Sequence, residues 1–441
     1  MNPFVAWTIT VLGVVSLGLV GRSLLGPDRV ERVDKTAIVA FLAVILPNLT
    51  TAIGAFTGGQ VYGTDTFFNR VTTFNGISAQ VNAVANPSLL LVTLLILALS
   101  LVQRSRPNVA PALFALLLMV SALAAWTNGG ALLTGPRAVL FALVACAVFL
   151  QRGRSVLSGA GLGLALLASV SAIGTALAPQ AVTLPCESRK CGAFGVLLVG
   201  VAGDNNSFGL LMALGVPVVY FGVRRYGIHL AALLTLLALG SGSRTAQVAA
   251  VLTFIVIVWR HLSSRSSTQQ ADRVAVATAI TGLVTMAIVP FVGLESDALT
   301  GRAGLWAIAL ERIGANPFGY GPDSWSTLVT IGVIPRSAGY ATHNQGLEVL
   351  YVAGALGLAI MLTLGVVLTV KNSGSLGRLA VLTLPVIVCG IAERPWSLGA
   401  IDWMSWSILV VLLVDFRSAA DVLPVSSAPR SNKRESFDPR R

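Results

Sequence analysis

The sequence predicts an all-α fold, a polytopic transmembrane helical bundle of about 12–13 spans. Three observations carry that reading. The 441 residues are 55% hydrophobic and 11% charged, with a mean hydropathy of +0.81, whereas a soluble domain carries about 25% charged residues. Apolar runs of about 15–20 residues recur from end to end, and a bilayer core needs about 20 helical residues to cross it. The runs are continuous rather than alternating, so helices, not barrel strands, satisfy the backbone inside hydrocarbon.

In chain order, the spans are predicted at 4–20, 36–54, 88–103, 109–127, 137–150, 160–178, 207–223, 228–240, 245–259, 274–291, 344–370, 379–392 and 402–416. An odd number of spans places the termini on opposite sides. The basic residues decide which side is which, because cytoplasmic connectors accumulate Lys and Arg. Alternate connectors, with Arg22 to Lys35, Arg104/Arg106, Arg152/Arg154, Arg224/Arg225, Arg260 to Arg273, Lys371/Arg378 and the tail, hold 21 of the 30 basic residues. That set is read as cytoplasmic, so this multi-pass protein of the cell membrane has its N-terminus outside and its C-terminus inside. The net charge of +12 is therefore a topology signal, and no nucleic-acid partner is implied.

Residues 1–416 form the membrane domain in this reading. Its outer side carries two long connectors, 55–86 and 292–343. The second holds a predicted surface helix, Arg302–Ile313, ended by Gly314, Pro317, Gly319, Gly321 and Pro322. Residues 417–441, rich in Ser, Pro and Arg and without apolar periodicity, read as a disordered cytoplasmic tail. Cys146 and Cys389 fall in spans and read as packing residues. Cys186 and Cys191 share a short outer connector, where they either form a disulfide or remain free thiols.

Charge is nearly absent from the middles of the spans, where ion-coupled transport usually needs it. Ionisable groups gather instead at the outer ends: Arg244, Arg302, Arg336, His343, Glu348, Glu393, Arg394 and Asp402. Arg244 follows Ser241-Gly242-Ser243 at a turn between two short spans, predicted to be recessed in the outer leaflet. A cation there faces a cavity, pairs with an acid such as Glu393 or Asp402, or snorkels to the headgroups. Arg302 opens the surface helix, and His343 lies where the long outer connector enters the next span. Two guanidiniums offer planar forks for a diphosphate, and an imidazole can take a proton from a hydroxyl. A diphosphate at the outer leaflet implies a lipid carrier.

These residues fall in segments that resemble the O-antigen ligase and O-antigen polymerase superfamily of bacterial membrane glycosyltransferases, over about residues 200–357. Gly200–Leu214 (GVAGDNNSFGLLMAL) looks like the family's start of a central span. Ser241–Thr245 (SGSRT) is similar to its S-x-S-R turn. Thr300–Trp306 with Asn316–Gly321 (NPFGYG) resembles its G-R-x-x-x-W and P-x-G-x-G outer loop. Thr342–Gly357 (THNQGLEVLYVAGALG) resembles its HN…G…G segment. The resemblance implies transfer of a glycan from a polyprenyl-diphosphate carrier to an acceptor hydroxyl (glycan, lipid or protein) at the outer face, as a ligase or a polymerase. It implies no cofactor and no metal. Arg244 and Arg302 would bind the diphosphate and neutralise it as it leaves, and His343 would be the base. Asn344, Glu348 and Arg336 complete the candidate substrate-binding set. The competing readings are a small-solute transporter, which places function in midspan residues, and a non-catalytic scaffold, which tolerates substitution throughout.

Overall fold

The computed structural model of the chain describes residues 1–25, 34–57, 60–64, 70–74, 76–186, 190–223, 225–263, 265–334 and 341–416. Arg336, Arg224 and the tail 417–441 lie outside the described residues.

Every predicted span coincides with a helix. The first six are α1 (Pro3–Leu25), α2 (Lys35–Thr57), α3 (Gly76–Val102), α4 (Val109–Thr127), α5 (Gly135–Phe149) and α6 (Ser155–Leu177). A single turn, α7 (Pro179–Val182), precedes α8 (Asn205–Gly222), α9 (Gly227–Gly240), α10 (Arg244–Leu262) and α11 (Arg265–Ile288). The connector predicted at 292–343 holds α12 (Ala298–Ala315) and α13 (Ser324–Thr330). The chain then closes with α14 (Gln345–Lys371), α15 (Leu376–Gly390) and α16 (Ser405–Leu413). Among the described residues, nine helices are long and apolar enough to cross a membrane. The protein is an all-α, multi-pass membrane protein.

Several boundaries differ from the sequence reading, among them the start of α11, which lies at Arg265 rather than 274. The connector predicted at 55–86 is shorter, because α2 runs to Thr57, α3 begins at Gly76, and a hairpin of β1 (Gln60–Thr64) and β2 (Arg70–Phe74) lies between them. Pro87, read as the residue just before a span, lies inside α3. Helices tolerate proline in a membrane because neighbouring groups satisfy the freed carbonyl. Pro47, Pro217 and Pro385 sit inside helices in the same way.

The last span departs most. With nine residues, α16 rises only about 14 Å, well short of a core about 30 Å thick. The irregular segment before it completes the crossing. Ile401 N donates to the Pro136 carbonyl at the start of α5 (3.0 Å), and Gly153 N donates to the Leu413 carbonyl beyond the end of α5 (3.0 Å). Residues 401–413 therefore traverse the bundle beside α5. All nine α16 residues are buried, as expected of a helix that is apolar all round. Non-helical backbone is tolerated at that depth because protein, not lipid, surrounds it.

Packing fixes which helix ends share a face. Thr175 Oγ1 at the end of α6 donates to the Ala6 carbonyl near the start of α1 (3.1 Å). Arg260 at the end of α10 pairs with Asp272 in α11, and Gly377 of α15 abuts the same aspartate. At the other end, Gly390 of α15 abuts Met286 of α11. Thus α11 and α15 run parallel and α10 runs against them, which brings Arg244 and residues 391–394 to one face of the bundle, the site face.

Candidate functional site

The site face is built from four segments, each fixing the next. Asp204 caps α8 by accepting from Asn206 N and Ser207 N (2.9 Å each), satisfying two of the helix's orphan donors. The adjacent Asn205 Nδ2 donates to the Ser241 carbonyl (2.9 Å). Ser241 Oγ in turn accepts from Ser243 N (3.2 Å), and Gly242 takes a left-handed φ of 73°. This tight turn ends at Arg244, the first residue of α10, which is exposed.

Cys186 and Cys191 are disulfide-bonded, with Cα atoms 4.7 Å apart. Residues 191–193 lie against the same turn, with Ala193 N donating to the Leu239 carbonyl (3.1 Å) and Gly242 packed on Cys191 and Gly192. The recess expected at Arg244 is only half present. The fourteen residues of α9 rise about 21 Å, but α10 extends to nineteen, about 28 Å.

The long connector supplies the second part. Leu299, Thr300 and Gly301 have positive φ (54°, 62° and 84°), so regular helix in α12 begins at Arg302. Arg302 and Trp306 are then one turn apart on the same face. Trp306 Nε1 donates to the Thr342 carbonyl (2.9 Å), and Arg302 Nη2 pairs with Glu393 Oε1.

His343 sits in the third part, buried (7% exposed), with φ 57°. A left-handed backbone is uncommon outside glycine and persists only where its surroundings hold it. Both neighbours do so. Thr342 donates from its N and Oγ1 to Glu348 Oε2 (3.0 Å each). Asn344 caps α14 by accepting from Leu347 N (2.9 Å), and its Nδ2 donates to the Met286 and Ile391 carbonyls (3.0 and 3.1 Å).

The connector after α15 completes the site. Glu393 is 2% exposed. Its Oε2 lies 3.0 Å from His343 Nδ1 while its Oε1 holds Arg302. Arg394 Nη1 reaches Glu348 Oε1 at 3.3 Å.

Of the residues expected from sequence, Arg302 and His343 meet through Glu393, which the sequence offered only as a possible partner for Arg244. Arg244 shares their face on a separate helix end. Glu348 and Asn344 are buried and hold backbone. Arg336 lies outside the described residues.

Residues 229–362 match the family model described as O-antigen ligase. Over this stretch the chain is similar to the O-antigen ligase family. The matched stretch runs from α9 through Arg244, Arg302 and His343 to the middle of α14. No curated protein and no solved structure is significantly similar to the chain.

Two further features of the structure were not legible as function in the sequence. The first is the Asn316–Gly321 turn, which enters α14 where that helix is broken at Gly354 (φ 65°, ψ −167°). Tyr320 N and Gly321 N donate to the Tyr351 and Val352 carbonyls, and Ala355 N donates to the Pro317 carbonyl, all at 2.9 Å. These bonds satisfy groups that the break releases. Gly319 and Gly321 are required there, with φ 89° and 80° and backbone within 2.7 Å of where a Cβ would stand.

The second is Arg137, fully buried, which a charge count assigns only to an outer connector. It donates to the Ala131, Leu132 and Gly399 carbonyls (2.5, 3.1 and 3.3 Å) and pairs with Asp323 (2.7 Å). It thereby ties α5, the connector after α15 and the loop before α13 together. Arg137→Met is expected to lower the unfolding free energy by about 2–4 kcal/mol, since three carbonyls and a carboxylate lose their donor. Thermal unfolding in detergent reads this, and an unchanged midpoint would show that the contacts carry no stability.

Proposed function

We propose that this protein is a membrane glycosyltransferase that moves a glycan from a polyprenyl-diphosphate carrier to an acceptor hydroxyl at the outer face of the membrane. The observation that carries the reading is Glu393, which joins the His343 imidazole to the Arg302 guanidinium, two residues that lie within the stretch similar to the O-antigen ligase family. With Nδ1–H donated to the carboxylate, His343 presents Nε2 as a base, the logic by which a buried acid orients a catalytic histidine.

In the proposed step the acceptor oxygen attacks the anomeric carbon and its proton passes to His343 Nε2. A carbon–oxygen bond forms to the acceptor as the bond to the carrier's diphosphate breaks, and the diphosphate leaves with the bonding electrons. Arg302, one-fifth exposed, and Arg244, exposed at the neighbouring helix end, meet the negative charge that develops there. Glu348 and Asn344 act as positioning residues, fixing the backbone on either side of His343.

Two observations support an outward-facing site. The site face carries the disulfide, which persists in oxidising compartments. The opposite face carries the Arg104/Arg106, Arg152/Arg154, Arg260 and Lys371/Arg378 connectors, as the positive-inside rule expects of the cytoplasmic side.

Single replacement of Arg244, Arg302 or His343 by Ala is expected to leave protein levels normal while lipid-linked glycan accumulates in cells. The loss expected from each is about 10²-fold or more in transfer rate. Normal transfer in all three variants would overturn the proposal and return weight to a solute transporter.

A further inference from the structure

A cleft of about 380 Å³ opens on the site face between the end of α4, the end of α12, α13 and the broken part of α14. Asn128, Arg312, Tyr320, Asp323, Thr327 and Tyr351 are among its lining residues. We propose that this cleft is a saccharide-binding subsite, holding a segment of glycan that extends from the Arg302–His343 centre. The assignment rests on the glycan-transfer reading for its ligand.

Position supports it. Arg312 lies ten residues along α12 from Arg302, about 15 Å. Tyr351 lies one turn along α14 from Glu348. The lining chemistry supports it further. A diphosphate needs several cations and a polyprenyl chain needs an aliphatic wall. This cleft offers two tyrosines, an amide, two hydroxyls, one guanidinium and one carboxylate, against three aliphatic side chains, Ala125, Leu328 and Ile331. The carboxylate already serves Arg137. Such a set suits a ligand rich in hydroxyls and bearing little charge.

Two lining groups have donor capacity in reserve. The Tyr351 hydroxyl is buried and meets no polar partner among the described residues beyond the Ser324 hydroxyl beside it. The nearby Ser324 hydroxyl donates instead to the Gly321 carbonyl (2.6 Å). Arg312 has no ion-pair partner among the described residues. Buried polar groups are nearly always hydrogen-bonded, and an orphaned hydroxyl facing a cleft marks where a ligand supplies the partner. The tyrosines, stacked at 5.3 Å between centroids, keep the aromatic side of the cleft rigid.

The test uses the full-length protein in lipid nanodiscs. The probe is the oligosaccharide released by mild acid from the lipid-linked glycans of the producing cells, with binding read by saturation-transfer NMR. Wild type and His343→Ala are expected to bind alike. Thr327→Trp, which fills the cleft, is expected to weaken binding about tenfold or more, and Tyr351→Phe, which removes one oxygen, by several-fold. If Thr327→Trp fails to fold, Tyr351→Phe carries the test. Undiminished binding in the folded variants, or none to wild type, overturns the subsite. Transfer that survives in His343→Ala while the binding pattern holds overturns the catalytic reading alone. In the transfer reaction, a rise in donor KM for Thr327→Trp assigns the bound segment to the donor, and a rise in acceptor KM assigns it to the acceptor.

Discussion

Glu393→Gln is expected to cut glycan transfer by about 10³–10⁴-fold while the protein stays folded and binds its donor normally. The carboxylate accepts from His343 on one oxygen and from Arg302 on the other. An amide of the same shape keeps an acceptor for the guanidinium but presents an N–H to the imidazole. His343 Nδ1 must then accept, so Nε2 carries the proton and ceases to be a base. Folding survives because Arg302 is partly exposed and water can solvate the charge left without its counterion. The effect should fall on kcat, with donor KM unchanged or lower, since Arg302 is released from a competing anion. Combining Glu393→Gln with His343→Ala should add little further loss, because residues that act as a unit are non-additive. Turnover by purified protein reads these quantities. Activity of the single variant within about tenfold of wild type would show that Glu393 is structural only.

The second large effect concerns folding. Gly354→Ala is expected to cost about 3 kcal/mol or more and to lower accumulation in the membrane. The backbone there (φ 65°, ψ −167°) is accessible essentially to glycine alone. A Cβ would also stand 2.4 Å from the Pro317 carbonyl oxygen and the Phe318 carbonyl carbon. Relaxing that clash means expelling the 316–321 turn, which leaves the Tyr351 and Val352 carbonyls without donors. The same change at Gly365, where nothing lies within 4 Å of the added atom, is the control and should be neutral or mildly stabilising. Thermal midpoints of the two purified variants separate these outcomes, and equal midpoints would contradict the role assigned to the break.

The two predictions divide what could be read early from what could not. Apolar runs located every transmembrane helix, because burying backbone in hydrocarbon leaves a continuous signature along the chain. Boundaries slipped at Pro87, where the proline invited a late start that the packed helix overrides, and in the last span, where the helix is shorter than the apolar run. Both outcomes depend on neighbouring helices, which are distant in sequence. Arg302 and His343 stood out as polar residues in an apolar chain, and the motif around them was recognisable. Glu393 was visible only as another acid at an outer end. Its pairing with both residues depends on α11, α14 and α15 placing residue 393 beside residues 302 and 343.

The Asn316–Gly321 turn teaches the same lesson about glycine. Its sequence announces a loop, yet its function is to fill a break in a helix about thirty residues later.

By itself, then, the sequence determined the class of fold, the succession of helices and the side of the bundle on which polar chemistry collects. All three follow from local hydrophobicity and charge, which act residue by residue along the chain. Only the tertiary structure decided which acid orients the histidine, which arginine is a buried tie rather than a ligand for substrate, and where helix α14 breaks. Those outcomes depend on hydrogen bonds between segments far apart in sequence, and such bonds exist only once the helices have packed.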